Sequence, residues 1–275
     1  MSDGDDAPPT NRFPEKGYKN LEFLNSPQAR HIRILCEYEE PRKRLDHYKI
    51  EDTVVFFGSA RTRASEEVRP VHEVARRAAE ASPDNPDAQL ALRKAEQALK
   101  LSRYYDDARE LARRITEWSL ASRRSYMICS GGGPGIMEAA NRGAADVDGG
   151  RSVGLGISLP FEQGVNAYVT PELAFEFHYF FTRKYWFLYL CKALVIFPGG
   201  FGTMDELFET MTLVQTNKIK KRLPIVLYGS EYWDAAFNLQ AMVDYGTISP
   251  GDLDLMHRCD TIDEAFEFLT AELTT

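Results

Sequence analysis

Three short apolar runs, each ending in a turn of glycine or small residues, constrain this chain most. Thr53-Val-Val-Phe-Phe57 leads into Gly58-Ser59, and Tyr126-Met-Ile-Cys129 leads into Ser130-Gly-Gly-Gly-Pro-Gly135. Ala193-Leu-Val-Ile-Phe197 leads into Pro198-Gly-Gly-Phe-Gly-Thr203. Similar runs occur at Ser152-Val-Gly-Leu-Gly-Ile157 and Pro224-Ile-Val-Leu-Tyr228, with a shorter strand predicted over 173–177. Amphipathic segments separate them, so strands alternate with helices. Short, continuously apolar strands in that alternation indicate a parallel sheet covered on both faces. The fold class is therefore α/β: a Rossmann-like, doubly wound parallel sheet. In such sheets ligands bind beyond the carboxyl ends of the strands, where the strand order reverses. Three glycine-type turns at that edge suit a nucleotide-sized ligand.

The domain itself is predicted to occupy residues 50–275. Residues 1–49 read as a disordered start, to about residue 16, followed by an N-terminal helical extension. A helix from Ser26-Pro27 carries Ile32, Leu35 and Cys36 at helical spacing and is expected to break at Pro41. Two long helices, over about 64–81 and 87–122, are separated by Ser82-Pro-Asp-Asn-Pro86. A single crossover needs far fewer residues, so about 64–105 reads as a helical insertion and the end of the second helix as the crossover. Later helices are predicted through Met137, Ala140 and Ala144, from near Phe181, over 232–243 and over 262–273.

Bulk composition excludes several function classes. The chain has 275 residues and a formal charge of -8, which disfavours a nucleic-acid partner. Any anionic ligand must be held by a local site against that field. The acidic, polar start has no apolar leader segment, and no run is long and apolar enough for a membrane span. Cys36, Cys129, Cys191 and Cys259 are far apart, with no CxxC pair. The expectation is a cytoplasmic protein with reduced thiols.

The turn at 198–206 carries most of the chemical information. A glycine turn between strand and helix lets a ligand approach the backbone, and the helix start offers unpaired N–H groups with partial positive charge. Two common phosphate patterns are absent. Gly131-Gly-Gly-Pro-Gly-Ile136 lacks the third glycine of a dinucleotide fingerprint, and Gly202-Thr203 has no preceding lysine as a triphosphate loop requires. A nucleoside monophosphate fits what remains, held by backbone N–H groups and Thr203. Glu206 has two readings. Thr203-x-x-Glu206 is a capping box, in which the carboxylate serves only the helix end. Alternatively, Glu206 faces the sugar and stabilises an oxocarbenium-like transition state or activates water. Arg183-Lys184 is either a solvated basic pair or, among Phe180, Phe181, Tyr185, Trp186 and Phe187, a partly buried pair that needs an anionic partner. His178 reads as structural, and Asp205 as a solvent-facing partner of the helix dipole.

Arg183-Lys184, thirteen residues, then Pro198-Gly-Gly-Phe-Gly-Thr-Met-Asp-Glu206 resembles the signature of the LONELY GUY (LOG) family, cytokinin riboside 5′-monophosphate phosphoribohydrolases formerly mislabelled lysine decarboxylases. Ser130–Gly143 and Leu159-Pro-Phe-Glu-Gln163 look like its longer, bacterial-type branch. The resemblance covers roughly 50–245. It implies hydrolysis of the N-glycosidic bond of AMP or an N6-modified AMP, with Arg183 and Glu206 as the catalytic pair. Substrate contacts carried over are Lys184, Gly200 to Thr203, Thr212 and Glu162. Ser59, Gly132, Gly133, Gly199, Gly200 and Gly202 are the remaining candidate binding residues of the turns. Water is implied as the only co-substrate, with no metal and no organic cofactor, and the assembly as a homodimer or larger homo-oligomer. Two other readings stand beside it: a non-catalytic nucleotide sensor of the same fold, and the decarboxylase label, which needs a Schiff-base lysine that no segment presents convincingly.

Overall fold

The computed structural model describes residues 13–122, 124–160 and 164–274. The disordered start expected over 1–16 therefore falls largely outside the described residues, as does Glu162. In chain order the helices and strands are α1 (Leu21–Asn25), α2 (Arg30–His47), β1 (Asp52–Phe57), α3 (Ser65–Ala81), α4 (Pro86–Ala121) and β2 (Tyr126–Ser130). Then follow α5 (Ile136–Ala145), β3 (Ser152–Ile157), β4 (Ala174–Phe177), α6 (Phe180–Tyr189), β5 (Cys191–Ile196) and α7 (Phe201–Gln215). The chain ends with β6 (Ile225–Tyr228), α8 (Ser230–Ala236), α9 (Leu239–Asp244), β7 (His257–Cys259) and α10 (Ile262–Thr274).

The seven strands form one sheet in the order β4-β3-β2-β1-β5-β6-β7, and every pairing is parallel. Period-two alternation divides the core. Val54 and Phe56 of β1 join Val195 of β5 on one face, where Tyr105, Leu111 and Ile115 of α4, Ile136 of α5 and Leu269 of α10 cover them. Val55 and Phe57 join Leu194 and Ile196 on the other, under Leu45 of α2, Trp186 and Phe187 of α6, Leu207 of α7 and Trp233 of α8. Burial on both faces is why these strands carry no polar alternation. The chain winds outward from β1 to β4, then crosses back through α6 to β5. That crossing creates the switch point between β1 and β5. There the two turns are tied together by a Ser59 N–H to Pro198 carbonyl hydrogen bond of 3.0 Å.

Three features depart from the sequence expectation. Helix α2 runs through Pro41 instead of breaking there. Proline removes the N–H that would bond the Glu37 carbonyl, but that carbonyl accepts instead from Trp186 Nε1 at 2.9 Å, so the defect is repaired by a neighbouring helix. The helix predicted over 232–243 is two helices, α8 and α9, divided at Phe237-Asn238, where the Asn238 side chain accepts from the Ala241 N–H at 3.0 Å. Strand β7 was not anticipated: it is three residues long and lacks a continuous apolar run. The chain's long helix, α4, is continuous over 36 residues, about 54 Å. Its second half is buried against β2, α5 and α10, while its first half forms a hairpin with α3.

Gly135 illustrates how tightly the central turns are set. Its φ is +74°, and a Cβ there would lie 2.2 Å from the Ser59 carbonyl oxygen. Gly135→Ala is therefore expected to lower stability by roughly 2–4 kcal/mol, combining left-handed strain with a backbone clash. Urea denaturation with an unchanged m-value checks it, and a loss below about 0.5 kcal/mol contradicts this account.

Candidate functional site

A cleft of about 650 Å³ opens at the carboxyl ends of β1, β2 and β5. Its floor is made by the three turns: Gly58 to Arg61, Gly131 with Gly133, and Pro198 to Thr203. Phe180, Arg183 and Phe187 of α6 form one wall together with Glu206 of α7, while Leu101 of α4 and Tyr232 of α8 close the rim. The volume lies within the range of small-molecule sites.

The anion end is backbone. Helix α7 starts at Phe201 with Gly200 as its N-cap, and no side chain caps it. The first intrahelical bond of the α-helical ladder runs from the Met204 N–H to the Gly200 carbonyl, 3.0 Å. The N–H groups of Phe201, Gly202 and Thr203 thus precede the ladder and belong to the cleft lining. Gly199 is packed under Thr203, where a Cβ would lie 2.1 Å from the hydroxyl oxygen, and its carbonyl accepts the Tyr232 hydroxyl at 2.5 Å. The capping-box reading fails on this geometry. Thr203 lies inside the first turn rather than at the cap, so Glu206 is one turn in and does not reach back to the helix start.

Glu206 is instead a buried carboxylate, 6% exposed, with Arg183 Nη2 3.8 Å from its Oε1. Burial pushes its pKa up to about 7. Arg183 and Lys184 oppose the shift, and Glu209 and Asp205 add to it. Arg183 is partly buried, its side chain 14% exposed. Its guanidinium lies 5.1 Å from the Phe180 ring centre and 5.5 Å from that of Phe187. Aromatic faces stabilise that cation at little cost in hydration.

The sequence candidates divide on inspection. Arg183, Glu206, Ser59, Gly133, Gly199, Gly200, Gly202 and Thr203 all line the cleft. Gly132 is next to it but turned inward: its N–H donates to Ser130 Oγ and its carbonyl accepts from Asn166. Lys184 is a correction. It lies outside the cleft lining and pairs with Asp205 at 2.8 Å and Glu209 at 2.9 Å. Those ion pairs raise its pKa despite the opposing effect of burial. They also give Asp205 a role that the solvent-facing reading missed. Thr212 is a second correction. It lies about three turns along α7, donates to the Phe208 carbonyl, and lines neighbouring cavities rather than the cleft. Residues that the motif reading missed include Arg61, Phe180, Phe187, Leu101, Tyr232 and Asn166. Signals were visible for Arg61, just after the Gly58-Ser59 turn, and for Phe180 and Phe187, in the aromatic run around Arg183.

Residues 137–269, including α6 and the 198–206 turn, match the model of a family described as "Possible lysine decarboxylase". The matched region is a LOG-family domain. Comparison with curated proteins finds no match. Among solved structures, the chain is similar to the molybdenum cofactor binding protein from the phototrophic bacterium Rippkaea orientalis. The TM-score is 0.41 with 15% identity over 62% of this chain and 88% of that one. No helix among the described residues is long and apolar enough to cross a membrane.

The raised Glu206 pKa has a defined effect on stability. A carboxyl whose folded pKa lies above its unfolded value of 4.5 binds its proton more tightly in the folded state. The protein therefore loses stability as pH rises from about 4.5 to about 7, and the penalty is complete above that window. Glu206→Gln is expected to leave stability nearly unchanged at pH 4 and to raise it at pH 8, on the order of 1–3 kcal/mol. Denaturant melts at the two pH values test this. A Gln variant equally or less stable at pH 8 contradicts the burial account.

Proposed function

We propose that the cleft hydrolyses the N-glycosidic bond of a nucleoside 5′-monophosphate, AMP or an N6-modified AMP, to free base and ribose 5-phosphate. The observation that carries this reading is the buried Glu206 carboxylate, one helical turn beyond the amide groups that begin α7 and 3.8 Å from Arg183. Phosphate on the Phe201, Gly202 and Thr203 N–H groups puts C1′ of the same nucleotide within reach of a side chain one turn in. Bond cleavage leaves positive charge on the ribose, which the ionised Glu206 stabilises. Water then adds to C1′. Water gives a proton to Glu206, which passes it to the departing base nitrogen and returns to its ionised form, so atoms and charge balance. A carboxyl with pKa about 7 exchanges that proton readily near neutral pH. Arg183, near two aromatic rings, keeps enough of Glu206 ionised to act. Arg61, at the exposed side of the floor, supplies a second cation for the phosphate.

The family description names a decarboxylase, but no lysine occurs among the described residues lining the cleft. Lys184 is committed to Asp205 and Glu209. This favours glycosidic hydrolysis over chemistry through a lysine Schiff base. We further propose a cytoplasmic protein, in keeping with the free thiols of its cysteines, and a homodimer, whose mass light scattering would read directly.

Chromatography of AMP incubated with the protein should show adenine and ribose 5-phosphate. Glu206→Gln should lower kcat by about 10²–10³-fold. The wild-type rate should fall as pH drops through about 7, because the active form is the carboxylate. Intact AMP after prolonged incubation, with the same result across a panel of monophosphates, rejects hydrolysis. Tight binding of intact AMP would mark a sensor instead.

A further inference from the structure

We infer that Glu37, on the N-terminal helix α2, is a positioning residue for the candidate site: it clamps the start of α6 and so sets where Arg183 stands relative to Glu206. The inference about geometry stands on its own; its consequence for turnover rests on the proposed phosphoribohydrolase reading.

Helix α6 has no cap of its own. Tyr179, its N-cap, makes no side-chain capping bond. The Glu37 carboxylate takes that place from a different element. One oxygen accepts the His178 N–H at 2.8 Å, and the other accepts the Tyr179 N–H at 3.3 Å and the Thr182 hydroxyl. The same hydroxyl lies 2.7 Å from the Tyr179 carbonyl, but its single hydrogen favours the charged acceptor. A carboxylate at this end also complements the helix dipole. The Glu37 backbone adds another tie. Pro41 has no N–H for the Glu37 carbonyl, and Trp186 Nε1, one turn beyond Thr182, donates to it at 2.9 Å. Arg183 lies between Thr182 and Trp186. The far end of α6 is held by Lys221, whose ammonium donates to the Leu188 carbonyl at 2.9 Å and the Tyr189 carbonyl at 3.3 Å. One residue of α2 thus fixes the register of α6 on both sides of its arginine.

Arg183 acts on Glu206 electrostatically, so a displaced α6 is readable at Glu206 itself. The charged groups acting on Glu206 are Arg183 and Lys184 from α6 and Asp205 and Glu209 from α7. Lys184 is tied to both α7 acids, which leaves Arg183 as the cation whose distance depends on the clamp.

The test is carboxyl carbon NMR titration of Glu206 in the full chain, assigned by its absence in Glu206→Gln. Glu37→Ala should move the Glu206 titration upward by about one pH unit, in the direction of Arg183→Met and by a part of its shift. Glu37→Asp, which keeps the charge on a shorter arm, should recover part of the difference. With AMP as substrate, Glu37→Ala should lower kcat about tenfold or more, and the acid limb of its pH profile should move upward with the NMR value. A merely structural role would reduce the folded fraction without moving either pKa. If Glu37→Ala does not fold, Thr182→Val removes one donor of the clamp and should give a smaller shift of the same sign. An unmoved Glu206 titration in whichever variant folds overturns the inference. Absence of base release by the wild type rejects the phosphoribohydrolase reading alone, because the titration needs no turnover.

Discussion

The site depends on one electrostatic compromise: a carboxylate taken out of water beside a single guanidinium. Glu206 is buried deeply enough that its proton affinity approaches neutrality, and Arg183 at 3.8 Å keeps the charged form accessible. Neither residue would be stable in that setting alone, since an uncompensated buried charge costs several kcal/mol. The sheet topology makes the pairing available. Because β5 returns to the centre beside β1, the helix before it and the helix after it cover the same face of the sheet. Arg183 on α6 and Glu206 on α7 therefore meet at the switch point, where the three turns open the cleft.

This arrangement transfers the demand for precision to α6. A distance of 3.8 Å in a low-dielectric setting is sensitive to small shifts of either helix. Helix α7 is anchored by its own glycine turn, with Gly199 packed under Thr203 and bonded to Tyr232. Helix α6 has neither a glycine turn nor a cap, and its ends are held by side chains from elsewhere: Glu37 at the start and Lys221 at the finish. The aromatic residues around Arg183 do related work. The Phe180 and Phe187 rings both lie near the guanidinium, while Trp186 links α6 back to α2. The N-terminal helix is thus part of the apparatus that shapes the site, although it contributes no residue to the cleft lining.

Much of the fold was legible because its signals are local. Strands β1, β2, β3, β5 and β6 are continuously apolar runs, and the glycine turns mark the edge where a ligand fits. Strand β7 escaped notice because three residues carry no pattern, and the α8–α9 division depends on Asn238 turning its side chain to a backbone N–H. Pro41 was read by its intrinsic effect on a helix, but a tertiary hydrogen bond from Trp186 offset the missing one. At the site, Arg183 and Glu206 were visible as motif residues. Lys184 does not line the cleft: adjacent helical residues project about 100° apart, so it pairs with α7 acids while Arg183 lines the cleft.

By itself the sequence determined the α/β class and the edge of the sheet at which the cleft opens. These follow from periodicity and turn composition, which act over a few residues. Whether Glu206 caps its helix or stands buried beside an arginine was open in the sequence, since Thr203-x-x-Glu206 fits both. Tertiary structure decided it. The helix begins at Phe201, two residues ahead of Thr203, and α6 supplies the guanidinium that makes a buried carboxylate tolerable. Burial and pairing across elements depend on contacts between residues far apart in the chain, and no local pattern encodes them.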